Sequence, residues 1–398
     1  MKLRYLLILM LLISFGSIGA VAFTPGLPMI AQFFAISSSK AELTVTWYLL
    51  GYTLGQLLYG PLANRYGSRN TVIIGAVIEI IGAIGCIASY YLHSFELLII
   101  SRFIMALGAG GGLTMSFAIS SKLCSHKENA RIISLLTIAF AITPGVGVFI
   151  GGILVSYYGW ISSFYFMLIY GIIILLLGRT LPEVFTEKKM DALNPKKLLR
   201  NYLNQLKRPV VFGGLLVGSG TCIVYTFAAL APFIAMDAMG ASPKIYGMYN
   251  FIPVVGMLLG SLLASHLSKI NIPEKTIKLG LFISLVGVVL LFLGFVLFTH
   301  NILSLFAPMF IVYIGFSFVF GNSSALALRG SDDKSNASAL MSFINMSSAV
   351  IVVMLLSFFP IHATIMLPLL YLGYLFLGTI WFLLLQVKHL PAVDNKSL

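Results

Sequence analysis

The sequence predicts an all-α membrane protein: twelve transmembrane helices in two pseudo-symmetric six-helix halves. Three observations predict it. Hydrophobic residues make up 59% of the 398 residues and charged residues 9%, against ~25% charged in soluble domains. A water-facing surface cannot be built from that composition, so lipid is the solvent. The apolar residues form twelve stretches of the length that crosses ~30 Å of hydrocarbon as a helix, and the Lys and Arg residues collect in every second loop.

In chain order the spans are read at 3–24, 42–62, 71–91, 96–121, 132–156 and 161–177, then at 210–236, 246–267, 276–298, 303–328, 337–359 and 365–386. Each is bounded by polar, Gly or Pro residues. The one long polar interruption, from Arg179 to Pro209, separates six spans from six. This gives an N-terminal half at 1–178, a cytoplasmic linker at 179–209, a C-terminal half at 210–386 and a cytoplasmic tail at 387–398. Within the linker, Leu198, Leu199, Tyr202 and Leu206 fall on one side of a short amphipathic helix beginning at Pro195, which suits the membrane surface; a plain tether is the other reading. Gly60-Pro61-Leu62 after the second span and Gly260-Ser261-Leu262 after the eighth are read as weak internal similarity, as expected of parallel repeats with a substrate site between them.

Basic residues are retained in the cytoplasm. Of the 25, only Lys40 and Lys244 lie on the opposite side, with Arg102 inside a span. Both termini are therefore expected to be cytoplasmic. The first residues mimic a cleavable leader, with Lys2, Arg4, an apolar run and Ala20-Val21-Ala22 as a cleavage site, but the charge rule needs an uncleaved first helix. The net charge of +13 sits in short loops, where it meets anionic headgroups rather than nucleic acid. Cys86, Cys124 and Cys222 have neither C-x-x-C spacing nor His neighbours, so they read as packing residues rather than metal ligands or disulfides. No G-x-x-x-x-G-K-[ST] string occurs, so no nucleotide cofactor is expected. The spans hold no His and carboxylate cluster, which excludes the usual membrane enzymes.

The loop after the second span reads Gly60-Pro61-Leu62-Ala63-Asn64-Arg65-Tyr66-Gly67-Ser68-Arg69. It resembles the major facilitator superfamily signature G-x-L-x-D-R-x-G-R-x, with Asn64 where Asp is usual. A tight glycine turn there presents Arg65 and Arg69 to acidic groups and helix C-termini. Arg102 to Gly112 resembles the family's R-x-x-Q-G-x-G-A-A pattern, with Met105 and Ala106 for Gln and Gly. Thr143-Pro144-Gly145-Val146-Gly147-Val148-Phe149-Ile150-Gly151-Gly152 resembles the Pro/Gly string of the exporter branch, with Val148 at a position where Pro is common. Four further strings, Pro25 to Pro28, Ala231 to Pro243, Gly321 to Leu328 and Asn336 to Phe343, extend a resemblance to the Bcr/CflA drug exporters over nearly the whole chain.

That resemblance implies the major facilitator fold and a monomeric inner-membrane secondary transporter that exports small amphipathic compounds in exchange for protons. It also implies an acid in the first span, where this chain has Ala20-Val21-Ala22-Phe23-Thr24. The remaining proton-coupling candidates are Glu79, Arg102 and Asp237. An Arg at the centre of a lone helix costs ~2.5–3.5 kcal/mol, so Arg102 needs a partner, a wet cavity or a snorkel to the interface. Glu79 lies deep in the third span, where an unpaired carboxylate carries a proton; it reads either as a proton carrier with Arg102 as its partner or as an acid that stays protonated against a neighbouring helix. Tyr48, Tyr52, Gln56, Tyr225, Asn250, Asn322 and Asn345 are expected to line the cavity, and Gly60, Asn64, Arg65, Gly67, Arg69, Pro144, Gly147, Gly151 and Gly152 to shape the gates. Two alternatives stand beside this one: uncoupled passage of a metabolite such as a siderophore, and a transporter-like sensor that moves nothing.

Overall fold

The computed structural model describes residues 2–124, 126–185, 192–267, 272–298, 300–329, 334–358 and 364–386. The expected tail at 387–398, the middle of the linker and the predicted end of the eleventh span lie outside these residues. Twelve long helices run through them: α1 (Leu3–Phe33), α2 (Leu43–Tyr66), α3 (Ser68–Tyr91), α4 (Phe95–Leu123), α5 (His126–Tyr158) and α6 (Ser162–Gly178), then α7 (Arg208–Ala238), α8 (Pro243–Leu267), α9 (Pro273–Leu297), α10 (Ile302–Ala327), α11 (Lys334–Leu356) and α12 (Met366–Gln386). No strand occurs among the described residues.

Ten of the helices are long and apolar enough to cross a membrane by composition alone. The other two are α6, with 17 residues, and α2, whose Thr44, Thr46, Tyr48, Tyr52 and Thr53 dilute its hydropathy and are all buried inside the bundle. Several helices run past their predicted ends, α1 furthest. The first span was expected to stop at 24, but a single 3₁₀ turn at Thr24–Gly26 carries it into Leu27–Phe33, because Pro25 and Pro28 both lie near helix starts, where the missing N–H costs nothing. In α4 the ladder breaks at Gly110, between Phe95–Ala109 and Gly111–Leu123.

Within the N-terminal half α1 packs on α4 and α5, α2 on α4, and α3 on α4 and α6. Within the C-terminal half α7 packs on α10 and α11, α8 on α10, and α9 on α10 and α12. Glycines set the close approaches. Gly51 of α2 meets the Phe103 carbonyl and Gly55 meets Leu107, while Gly256 of α8 meets the Phe310 carbonyl and Gly260 meets Ile314. Gly75 and Gly82 of α3 pack on Gly108 and Met105, as Gly280 and Gly287 of α9 pack on Gly315 and Val312. All four pairs keep one offset, which makes Gly55 the counterpart of Gly260. The match of Gly260 to Gly60 expected from the sequence is therefore out of register. Gly60 faces open space, and the sequence likeness rested on residue type without packing.

The halves meet chiefly through α2 with α11 and α5 with α8, which the repeat relates to each other, and α1 adds contacts to α7 and α8. The amphipathic linker helix forms at Pro195–Leu203, with the Asn194 side chain accepting from the Lys196 N–H. Its Tyr202 ring packs against Val210, Ala327, Ala337, Leu340 and Met341 of the C-terminal half, and its hydroxyl donates to the Leu57 carbonyl of α2 at 3.3 Å.

Candidate functional site

Gly16 and Gly19 of α1 leave room for two rings from α2, because a side chain at either would strike Tyr52 or Tyr48. Tyr48 is fully buried and donates to the Gly16 carbonyl at 2.9 Å. Tyr52 lies over it, ring centroids 6.5 Å apart and nearly parallel, with the Gln56 side chain beside its hydroxyl. Across the divide, Tyr225 of α7 is an electrostatic neighbour of both Tyr48 and Tyr52, and of Tyr313 on α10. The expected cavity residues Tyr48, Tyr52 and Tyr225 thus meet where the halves face each other.

Behind this layer sits Arg102. It is completely buried, and it neither snorkels nor pairs with Glu79. Its Nη1 donates to the Gly19 carbonyl at 2.8 Å and its Nε to the Thr44 carbonyl at 3.2 Å. The guanidinium stacks 3.9 Å from the Phe23 centroid and 4.1 Å from that of Tyr48. Carbonyl acceptors and π faces thus replace the counter-ion, a role that suits the planar, weakly hydrated guanidinium. One nitrogen, Nη2, has no hydrogen-bond partner.

Glu79 is also fully buried, and neither carboxylate oxygen has a hydrogen-bond partner. It wedges between α4 and α6, against Gly108 and Gly171, so the expected partnership with Arg102 does not form. The two side chains leave their helices toward different neighbours, and Arg102 turns inward to α1 and α2. Asp237 lies exposed in a π-helical turn, Ile234–Ala238, at the end of α7. Of the asparagines, Asn250 and Asn322 each donate back to a carbonyl one turn earlier, those of Tyr246 and Phe318. Asn345 is buried with its side-chain oxygen unpartnered.

The Pro/Gly string of α5 has two working faces. Gly147 and Gly151 lie against Ile18 and the Ala22 carbonyl of α1, while Gly145 and Gly152 lie against Val254 and the Pro243 carbonyl of α8. One helix therefore packs at backbone distance on its own half and on the opposite half. The Lys244 N–H donates to Ser156 Oγ at 2.9 Å and completes the seam at that end. Pro144 sits inside the unbroken helix.

At the opposite end the loop signature is held by Glu183, an acid at the start of the linker. Gly67 takes a positive φ of 90° and lies against the Glu183 carboxylate. That carboxylate accepts from the Ser68 N–H at 2.7 Å, the Ser68 hydroxyl at 2.8 Å, the Arg69 N–H at 3.2 Å and the Phe185 N–H at 3.0 Å. It caps the start of α3 from outside the helix. Burial alone would raise the Glu183 pKa, but these N–H and O–H donors hold it below the usual carboxylate range. Arg69 Nε donates to the Leu181 carbonyl at 2.8 Å, and Arg65 stacks on Tyr66. Asn64 is half-buried and Gly60 faces open space. The acid missing at Asn64 is thus supplied from the end of α6. Nothing near Glu183 in sequence marks it, since the contact joins residues more than a hundred positions apart.

The family model described as Major Facilitator Superfamily matches residues 7–355. The chain belongs to the major facilitator superfamily. It is a multi-pass membrane transporter, not an enzyme. An uncharacterized transporter of Rickettsia bellii is 28% identical over 324 residues, covering 77% of this chain and 78% of that protein. A chloramphenicol resistance protein of Pseudomonas aeruginosa is 25% identical, over 80% of this chain and 74% of its own length. The crystal structure of a D-xylose-proton symporter superposes with a TM-score of 0.78 at 17% identity, covering 99% of both chains; this similarity bears on the fold.

Proposed function

We propose that this transporter exports small amphipathic compounds by alternating access in exchange for protons, as a monomer in the bacterial inner membrane with both termini cytoplasmic. The observation that carries the reading is the double-faced packing of α5, whose glycines seat α1 on one side and α8 on the other. A seam built mainly of glycine-to-backbone contacts, with one ring pair across it between Phe149 and Phe251, can part and reclose as a rigid body. The drug-resistance relative supports export of amphipathic molecules. In this reading Glu79 carries the proton, since both its oxygens are buried and unpartnered, and Arg102 holds the α1–α2–α4 corner that moves when the proton leaves.

One observation favours a second reading, uncoupled export of a specific metabolite. The Glu79 carboxylate packs against Gly171 of α6 and makes no hydrogen bond to the tyrosines at the divide. Proton movement in proteoliposomes on addition of substrate, measured for wild type and Glu79→Gln, separates the two. Proton release that vanishes in the variant establishes antiport through Glu79. Substrate flux without proton movement, unchanged in the variant, establishes the facilitator.

A further inference from the structure

We infer that the transported molecule is neutral or anionic, and that this transporter discriminates against lipophilic cations. The inference rests on the export reading above and adds the charge class of the substrate. It comes from the placement of every ionisable group relative to the divide between the halves.

The chain has twelve carboxylates. Glu79 is the one lying deep within a membrane-spanning helix, and α3 packs it against α4 and α6 instead of the opposite half. Glu42 precedes α2, Glu96 lies in the first turn of α4 and Asp237 in the last turn of α7, all on the side away from the basic loops. Glu274 opens α9 and Glu183 follows α6 on the basic side. Glu128 lies in the first turn of α5 by sequence, and the other five fall in the linker, the loop before α11 and the tail. Among the described carboxylates Glu79 is an electrostatic neighbour of Tyr48, but it makes no hydrogen bond to any tyrosine where the halves meet.

The cation count is as one-sided. Arg102 is the one basic residue within the core of a span, and its charge has no carboxylate partner among the described residues. The guanidinium lies 4.1 Å from the Tyr48 centroid, and Tyr48 lies 6.5 Å from Tyr52. The fixed positive charge is therefore no more than about 11 Å from the Tyr52 ring. At that distance, with an effective dielectric of ~20, one unit charge changes the affinity of another by roughly tenfold. A cation loses that factor and an anion gains it.

A cation would also surrender its hydration with no carboxylate to replace it. The ring faces offer partial compensation through their quadrupoles, but one face of Tyr48 is already spent on Arg102. What the divide does offer is hydrogen bonding from the Tyr52 hydroxyl and the Gln56 side chain beside it. Aromatic faces with neutral donors and acceptors fit a hydroxyl, amide, nitro or carboxylate head on an apolar body.

The test is a matched series sharing one arylalkyl body and bearing an amide, a carboxylate or a quaternary ammonium head, followed in proteoliposomes by uptake and by quenching of intrinsic fluorescence. The amide and carboxylate members should be bound and moved, and the ammonium member should show kcat/KM at least tenfold lower. Gln56→Glu, which puts a carboxylate beside Tyr52, should narrow that gap tenfold or reverse it. Ammonium transport equal to or better than amide transport in wild type overturns the charge assignment and leaves the export reading standing. Failure of all three members to bind or move overturns both.

Discussion

Arg102 on α4 donates a hydrogen bond of 2.8 Å to the Gly19 carbonyl of α1. A cation is thereby fixed in apolar surroundings by backbone oxygen and aromatic faces, without an acid. Charge-assisted hydrogen bonds are worth ~1.5–3 kcal/mol each, and Arg102 makes two of them while stacking on Phe23 and Tyr48. Arg102→Gln is expected to destabilise the protein by about 3 kcal/mol. Arg102→Lys should recover less than half, since an ammonium lacks the planar face that stacks on Phe23 and Tyr48 and the rigid fork that spaces the two donors. Thermal unfolding in detergent measures both, and a glutamine variant as stable as wild type would refute the assignment.

The Glu183 cap on α3 predicts a pH signature. Its folded pKa is depressed, so its stabilising contribution is complete above the ordinary carboxylate range of ~4.3 and is lost as pH falls through the lower folded value. Glu183→Ala should cost about 1 kcal/mol at pH 7, the usual value of an N-terminal cap. The difference from wild type should hold down to about pH 5 and shrink below pH 4. A difference independent of pH would mean that packing alone, and not the carboxylate, matters there.

The α5 seam predicts an asymmetry between glycines. A methyl at Gly152 would collide with the Pro243 carbonyl of the other half, whereas one at Gly373 on α12 meets open space. Gly152→Ala should reduce transport at least tenfold and raise the labelling rate of a cysteine placed at Ser156. Gly373→Ala should match wild type in both. Equal behaviour of the two variants would remove the seam from the mechanism.

Tyr202 joins the linker helix to both halves, by its ring to one and by its hydroxyl to the Leu57 carbonyl of the other. Tyr202→Phe removes only the hydrogen bond, worth ~0.5–1.5 kcal/mol. Interconversion at the basic face should shift toward the parted state by about two- to tenfold. Alkylation of a cysteine introduced at Leu57 reports it, and an unchanged rate would show that the hydroxyl is incidental.

Much of the fold is legible without coordinates. Lipid forces each span to satisfy its backbone internally, so apolar length and loop charge fix the helices, the short α6 and the polar α2 among them. The site was legible by residue type and not by pairing. Tyr48 and Tyr52 stack on each other with Tyr225 nearby, whereas Arg102 and Glu79, read as partners, do not pair, because side-chain direction depends on helix rotation, which depth along the membrane normal leaves open. Glu183 was invisible for a related reason: a charge in a polar linker has no periodic pattern to mark it.

The sequence by itself determined the solvent, the twelve spans, the division into halves and the superfamily, since all of these follow from composition, loop charge and local strings. Only the tertiary structure decided that Gly55 and not Gly60 answers to Gly260, that the Arg102 charge is held by carbonyls and rings, and that a distant acid caps α3. These depend on the register between helices, which is set by close packing of glycine against backbone over a few tenths of an ångström.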